Sequence, residues 1–231
     1  PWAILLDPTS ACNLHCTGCW AAEYGYKQNL SFEDIDSIVT QGKELGTHIY
    51  IYTGGEPLVR KQDLLEIARR HSDCEFMTFT NGTLIDNGFA DELLRVKNII
   101  PVLSVEGFEE STDARRGSGT FAKVVLAMDI LREKKLPFGI SCCYTSNNLD
   151  SISSDEYVDQ MVKWGAKFVW YFHYMPVGND AVTGFRQPHS VSICITVSAR
   201  YVRQSRCLRW ISRTTANMSA AVSRVAEDIS T

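Results

Sequence analysis

The chain has 231 residues, of which 45% are apolar, and this is enough for one hydrophobic core of ordinary size. The formal net charge is −4 at pH 7 and no basic stripe is present, so we expect no nucleic-acid partner. No apolar run approaches the ~20 residues that a membrane-spanning helix needs, so we expect no membrane partner. Eight cysteines, three of them clustered, favour a reducing compartment, and the sequence therefore predicts a cytoplasmic protein.

Strand and helix patterns alternate along the first 182 residues. Ser31 and Asp34 form a capping-box pattern at the start of the first helix. Strands separated by helices predict βαβ units, and hence an α/β fold whose parallel sheet curls towards a barrel. The predicted strands are 3–7, 47–53, 75–80, 99–105, 137–145 and 167–174, and the predicted helices are 31–46, 61–71, 86–97, 119–134 and 153–165.

The loop after the first strand reads C-N-L-H-C-T-G-C-W, with cysteines at Cys12, Cys16 and Cys19. Three thiolates leave a tetrahedral site one ligand short, which suits a [4Fe–4S] cluster with one iron open to another molecule. A structural zinc site is expected to close with a fourth cysteine or histidine at its own spacing. His15 lies in the loop, but its neighbour Cys16 already occupies that stretch of backbone. A zinc loop, or buried free cysteines, is the alternative interpretation.

A second motif, Gly54-Gly55-Glu56-Pro57, follows the second predicted strand. Two glycines at the carboxyl end of a strand let another molecule approach the backbone closely. Glu56 places a carboxylate at the same edge, where it suits a ligand ammonium group. Alone, the tetrapeptide would be consistent with an ordinary turn. Because it follows a three-cysteine loop by about forty residues, we interpret it as a binding motif.

Together these motifs resemble the radical S-adenosylmethionine (SAM) superfamily, whose cluster motif is usually followed by an aromatic residue, here Trp20. Asp113 to Phe121 resembles the family's D-x-x-R-G-x-G-x-F stretch, whereas Glu106 stands where many relatives carry aspartate. The resemblance runs from about Ala3 to about Thr183. Within the superfamily, the sequence is similar to the SPASM/twitch-type subgroup, which has a C-terminal auxiliary-cluster domain. Further matches are Thr80-Asn81-Gly82, Ser104-Val105-Glu106-Gly107 and Tyr174-Met175-Pro176-Val177-Gly178.

The resemblance implies a partial (β/α)6 TIM-like barrel with its site at the carboxyl ends of the strands. It also implies a [4Fe–4S] cluster held by Cys12, Cys16 and Cys19 alone, and bound SAM. Glu56 is assigned to the methionyl amine, Ser104 and Arg116 to the methionyl carboxylate or ribose, and Thr80 to the nucleoside. For Arg116 a solvated charge at a helix entry is the alternative, and for Trp20 simple packing. The candidate cofactor-binding residues are Trp20, Gly55, Glu56, Thr80, Ser104, Arg116, Met175 and Val177.

The implied function is reductive cleavage of SAM to a 5′-deoxyadenosyl radical, which abstracts hydrogen from a peptide or small-molecule substrate. Flavodoxin or ferredoxin is the implied electron donor. One alternative is a cluster-bearing electron-transfer or sensor protein, which would not need Gly54–Pro57. Another is a truncated, catalytically impaired radical SAM core. Cys142 and Cys143 alternate on a strand, so at least one should face the barrel interior, and Cys74 is most simply structural.

The composition changes after Thr183, where no lysine occurs and Glu227 and Asp228 are the only acids. No helix or strand period persists there, so we divide the chain into a radical SAM core, residues 1–183, and an irregular tail, residues 184–231. A disordered linker is one interpretation of the tail. The other is a frame-shifted remnant of an auxiliary-cluster domain. Read one nucleotide earlier, Thr214–Arg224 can encode N-D-G-E-Y-V-G-G-C-I-A, whose G-G-C-I-A looks like the entry to that domain.

Overall fold

The structure is a computed structural model that describes residues 1–21, 25, 27–174, 176, 182 and 209–212. Seven parallel strands form one sheet in which every strand pairs with its neighbour in the chain. The predicted α/β fold, a partial (β/α)6 TIM-like barrel, is confirmed by the curled sheet of six strands and its helices. The strands are β1 (Ile4–Leu6), β2 (Ile49–Tyr52), β3 (Glu75–Thr80), β4 (Ile99–Ser104), β5 (Gly139–Tyr144), β6 (Phe168–His173) and β7 (Arg209–Ser212).

Seven helices connect the strands of the described part. Five of them match the five predicted helices, and the predicted capping box is present because Ser31 Oγ accepts from Asp34 N while Asp34 Oδ2 accepts from Ser31 N, both at 3.0 Å. The helices are α1 (Phe32–Glu44), α2 (Lys61–Arg70), α3 (Asn87–Val96), α4 (Glu109–Arg116), α5 (Thr120–Glu133), α6 (Leu149–Ile152) and α7 (Asp155–Trp164).

Helices α4 and α6 were not predicted, and their sequences explain why. In α4, E-E-S-T-D-A-R-R, only Thr112 is buried, so no apolar period marks the helix. Helix α6 has four residues, which is too short for a period to develop. Helix α4 follows β4, which ends at the candidate site, so the sequence pattern was weak next to functional residues there.

The tail contains a further difference from the prediction. Arg209–Ser212 forms β7, which pairs with β6 in parallel, with Val169 opposite Trp210. The sheet therefore has one strand more than the six predicted, and the tail is not irregular throughout. The sequence of β7, Arg-Trp-Ile-Ser, does not alternate apolar and polar side chains, so no strand pattern marks it. Met175 and Val177, which were predicted to bind the cofactor, lie outside the described residues.

The sheet is buried on both faces. On the face covered by helices, a large core forms around side chains such as Tyr50, Phe76, Leu103, Ile140 and Tyr171. The alternate positions point to the concave face, where a smaller cluster comprises Ile51, Met77, Ile100, Val102, Phe168 and Trp170. Because both faces are apolar, the strands read as nearly continuous hydrophobic runs, as is usual in parallel sheets. Within the described residues, no helix combines the length and hydrophobicity needed to cross a bilayer.

Candidate functional site

The candidate site lies where β1, β2, β3 and β4 end. The cysteine loop follows β1, Gly54–Pro57 follows β2, Asn81 follows β3 and Glu106 follows β4. Neighbouring parallel strands present their carboxyl ends at one edge, so these four segments meet there. The sequence therefore predicted the correct edge of the sheet for these motifs.

The two glycines after β2 pack against the chain that leads into the cysteine loop. Gly55 N donates to Thr9 O at 2.9 Å, and Glu56 N donates to Ala11 O at 2.8 Å. A Cβ at Gly55 would collide with the backbone oxygen of Ala11, and Gly54 has a φ of +98°, which favours glycine. The close backbone approach expected here is thus made by this chain itself, and it fixes the start of the cysteine loop.

The chemistry of the three cysteines fits an iron–sulfur cluster. Cys12, Cys16 and Cys19 are free thiols, each partly exposed on one loop. Among the described residues their sulfurs are not gathered within 4.8 Å of one another, whereas three thiolates on a single zinc ion would be about 3.8 Å apart. Burial raises the pKa of the Cys12 and Cys16 thiols, and for Cys16 the guanidinium charges of Arg116 and Arg115 partly offset that rise.

Glu56 joins the loops after β2 and β3. Its side chain is 1% exposed, and its Oε1 accepts from Thr80 Oγ1 at 2.7 Å and from Leu58 N at 2.9 Å. Its Oε2 accepts from Asn81 N at 2.7 Å. The Thr80 hydroxyl, which also accepts from Gly82 N at 3.0 Å, is therefore occupied within the protein. Thr80 supports Glu56 directly, a role that its assignment to the nucleoside did not anticipate.

Asn81 connects this network to the cysteine loop, and sequence reasoning assigned it no role of its own. Its side-chain amide donates to Asn13 Oδ1 at 2.8 Å and lies 4.0 Å from Cys12 Sγ. Its Oδ1 accepts from Thr83 Oγ1 at 2.7 Å, and Asn13 Nδ2 also donates to Thr83 Oγ1, at 2.8 Å. The Thr-Asn-Gly motif indicated that Asn81 lies at the end of a strand. Only the folded structure shows that its side chain contacts Cys12, the first cysteine of the loop.

Glu106, after β4, is the centre of a second network. It is 1% exposed, and its Oε1 accepts from Arg115 Nη1 at 2.5 Å and from Arg116 Nε at 2.9 Å. Its Oε2 accepts from Cys143 N at 2.8 Å. Arg115 O in turn accepts from Thr17 N in the cysteine loop at 2.8 Å. Glu106, to which sequence reasoning assigned no role, holds both arginines beside the cysteine loop.

The two buried carboxylates differ in electrostatic environment. Burial raises the pKa of Glu56, and its hydrogen bonds to Thr80, Asn81 and Leu58 only partly oppose the rise. Burial also disfavours the charged form of Glu106, but Arg115 and Arg116 outweigh it and hold the pKa of that carboxyl below its usual range. Among the described residues Glu56 forms no ion pair, and the more distant charge of Arg116 also only partly opposes the effect of burial.

The stretch from Asp113 to Phe121 orients the arginines and the next helix. Asp113 accepts from Gly119 N at 2.6 Å and from Phe121 N at 2.8 Å, and so caps the start of α5. Gly117 has a φ of +99°, which lets the chain turn directly after Arg116. Arg116 is not the solvated charge of the alternative interpretation, because its side chain is 11% exposed and paired.

The remaining candidates have separate positions. Ser104 is half-buried on the same strand face as Val102, and Cys143 shares the concave face, whereas Cys142 packs against Tyr157 on the helix side. Trp20 is 44% exposed. Tyr174, which follows β6, lies against Gly18, where a Cβ would approach the Tyr174 hydroxyl to 2.5 Å. The end of β6 therefore reaches the cysteine loop.

The fold and site agree with comparisons to known proteins. The chain matches the radical SAM superfamily over residues 6–169, and it belongs to that superfamily. It is 29% identical to Fe-coproporphyrin III synthase of Methanosarcina barkeri over 154 residues, which are 64% of this chain and 38% of the relative. It is 30% identical to a cysteine-type anaerobic sulfatase-maturating enzyme of Clostridium perfringens over 168 residues, 64% of this chain and 45% of the relative.

A solved structure supports the same fold. Streptococcus suis SuiB bound to S-adenosylmethionine superposes with a TM-score of 0.79 at 19% identity, covering 94% of this chain and 51% of that chain. The predicted resemblance to the radical SAM superfamily is confirmed. The chain spans less than half the length of the two curated relatives named above.

Proposed function

We propose that this chain is the core of a radical SAM enzyme that acts on a peptide or small-molecule substrate. The observation that carries the proposal is the meeting of three free thiols, the buried Glu56 carboxylate and the Arg115–Arg116 pair at one edge of the sheet. A [4Fe–4S] cluster held by Cys12, Cys16 and Cys19 would supply the electron that cleaves SAM to methionine and a 5′-deoxyadenosyl radical. The protein's own part is to bind and orient SAM and substrate and to exclude water.

Glu56 provides the negative charge for the methionyl ammonium. A buried carboxylate without an ion pair among the described residues is stabilised when a cation binds close by, because both charged forms are then favoured. The three hydrogen bonds to Glu56 hold this charge in place next to Gly55. The ammonium therefore interacts with a carboxylate whose position is fixed before SAM binds.

Arg115 and Arg116 provide a site for the methionyl carboxylate. Two guanidiniums share the single Glu106 carboxylate, so the group carries a net positive charge. A guanidinium offers five donors, and a carboxylate can take two of them at once. Ser104, half-buried on the concave face, is proposed for the same carboxylate or the ribose, and Met175 and Val177 for the nucleoside, with Trp20 beside the cluster.

The concave face of the sheet is the proposed entry for substrate. Phe79, Trp170 and Phe172 form an aromatic group there, with ring centroids 5.4 to 5.8 Å apart. A structure of Streptococcus suis SuiB bound to the precursor peptide SuiA has the same fold. A peptide side chain packing on this group is consistent with both observations. The electron donor is proposed to be a flavodoxin or ferredoxin.

The function is tested by anaerobic reconstitution with iron and sulfide, followed by addition of SAM and a reductant. We expect 5′-deoxyadenosine to form, because a bound sulfonium next to a reduced cluster is cleaved even without substrate. An electron-transfer or sensor protein would show the cluster's absorbance but would neither bind SAM nor release 5′-deoxyadenosine. That result would refute the proposal. Release of 5′-deoxyadenosine without any turnover of peptide would favour the alternative of a truncated, catalytically impaired radical SAM core.

Glu56→Gln is expected to weaken SAM binding tenfold or more, because charged hydrogen bonds contribute about 1.5–3 kcal/mol. Calorimetry on the cluster-loaded protein measures the affinity. Thr80→Val is the matched control, since it removes one hydrogen bond to the same carboxylate but keeps the charge. Equal affinity in Glu56→Gln and wild type would contradict the assignment, as would an equal loss in Thr80→Val.

For the domains, we propose that residues 1–183 form the radical SAM core and that residues 184–231 derive from an auxiliary-cluster domain read in a shifted frame. The support is the loss of lysine and nearly all acids after Thr183, together with the G-G-C-I-A reading of the shifted codons. The coding DNA decides between this origin and a native tail. Stop codons in the earlier frame would exclude the frame shift.

A further inference from the structure

A group of three potential metal ligands lies at the opposite end of the sheet from the cysteine loop. His48 directly precedes β2, Cys74 directly precedes β3, and Asp73 lies in the turn after α2. One ligand atom from each side chain lies within 4.8 Å of the other two. We infer that His48, Asp73 and Cys74, here called the His48 cluster, form a second metal site that takes a divalent zinc ion.

The distances are close to those that zinc requires. His48 Nδ1 lies 3.9 Å from Cys74 Sγ and 3.9 Å from Asp73 Oδ2. Tetrahedral zinc, with bonds of about 2.0–2.3 Å, holds its ligand atoms about 3.3–3.8 Å apart. The ligand atoms therefore need to close by about 0.6 Å or less for the two pairs at 3.9 Å, and by about 1.3 Å at most for Asp73 and Cys74. His48 and Asp73 are 51% and 54% exposed, so no tight packing opposes that movement.

The sulfur ligand is already fixed. Cys74 is 1% exposed, its backbone N donates to His71 O at 3.0 Å, and its backbone O accepts from Asn98 Nδ2 at 3.0 Å. Binding then requires ordering of only the two exposed side chains, which reduces the entropic cost. A set of one thiolate, one imidazole and one carboxylate matches zinc and disfavours magnesium or calcium, which prefer oxygen alone.

Lys43 forms an ion pair with the Asp73 carboxylate, on the oxygen that faces away from His48. Its Nζ contacts Asp73 Oδ1 at 2.9 Å, which leaves Oδ2 directed towards His48. The lysine charge opposes a second cation, so its removal should strengthen zinc binding. His48 Nδ1 lies 3.0 Å from Asp73 O, and zinc would replace that hydrogen bond. Water would complete the fourth position.

A bound ion would join the residue before β2 to the turn before β3. This is the amino-terminal end of the strands, which in barrels serves stability, whereas the carboxyl end serves catalysis. A metal that binds only the folded chain raises its stability by mass action. The His48 cluster is therefore proposed as a structural clip, and it does not depend on the proposed radical function.

The test uses protein loaded with its iron–sulfur cluster, so that Cys12, Cys16 and Cys19 are occupied. After dialysis against a series of free zinc concentrations, elemental analysis gives the zinc bound per chain. We expect about one zinc per wild-type chain, and a loss of affinity of about tenfold or more in His48→Ala and in Cys74→Ser, as for removal of a ligand. Zinc should also raise the midpoint of thermal unfolding in the wild type but not in these variants.

Asp36→Asn is the matched control, because His71 and Asp36 form another histidine–carboxylate pair, at 3.1 Å, without a thiol. It should leave zinc binding unchanged, and Lys43→Gln should tighten it severalfold. Absence of zinc from the wild type would overturn the proposal, as would wild-type affinity in folded Cys74→Ser. If Cys74→Ser does not fold, the exposed His48→Ala decides, and unchanged binding in that variant likewise overturns it.

Discussion

Replacement of Cys12, Cys16 or Cys19 with alanine is expected to abolish the visible absorbance of the reconstituted protein. The three thiols share one loop that two backbone hydrogen bonds, from Gly55 and Glu56, hold at its start. With only three protein ligands, loss of one leaves a cluster iron without its thiolate, and we expect the cluster not to persist. Absorbance and bound sulfide, measured after anaerobic reconstitution, provide the readout, and formation of 5′-deoxyadenosine should disappear with them.

Two other cysteines serve as controls for this experiment. Cys74→Ala removes a buried thiol at the amino-terminal end of β3. Cys143→Ala removes a partly exposed thiol from the concave face, where burial raises its pKa to about 11. Both variants should retain the absorbance in full. Loss of the cluster in Cys143→Ala equal to that in Cys16→Ala would show a fourth ligand and contradict the assignment of three.

The sequence predicted the fold because each strand carries its own local pattern. Apolar β-branched and aromatic runs marked β1 to β6, and the capping box of Ser31 and Asp34 marked the first helix. The order of strands then followed from the alternation with helices, since βαβ units give a parallel sheet. The same reasoning located the motif residues at one edge of the sheet, where the structure brings Cys12, Glu56 and Thr80 together.

The partners of individual side chains were not predictable from the sequence. Glu56 and Thr80 are 24 residues apart, and nothing local indicates that one side chain donates to the other. Glu106 reaches Cys143 N across 37 residues, and α4 lacks the apolar period that would have revealed how it presents Arg115 and Arg116. Contacts of this kind depend on the packing of the whole sheet, whereas the motifs are local.

Glu106→Gln is expected to destabilise the protein by about 3–5 kcal/mol, because it leaves two buried guanidiniums without their counter-charge. Denaturant unfolding of the cluster-free chain at pH 7 measures the loss. Glu106→Asp is the matched control, since it keeps the charge while shortening the side chain by one methylene, and its loss should be clearly smaller. An equal loss in both variants would show that packing, and not charge, governs the effect.

The pH dependence separates the two buried carboxylates. The pKa of Glu106 is lowered in the folded state, so its stabilisation is present above the unfolded value near 4.5 and is lost as the pH falls through the folded pKa. The stability gap between wild type and Glu106→Gln should therefore shrink below about pH 4.5. The pKa of Glu56 is raised, so its contribution is present below the unfolded pKa and is lost as the pH rises through the folded one. The wild-type advantage over Glu56→Gln should accordingly grow on acidification. A Glu106→Gln gap that grows on acidification would show that Arg115 and Arg116 do not hold Glu106 in its charged form, and a Glu56→Gln gap that shrinks would show that burial does not dominate at Glu56.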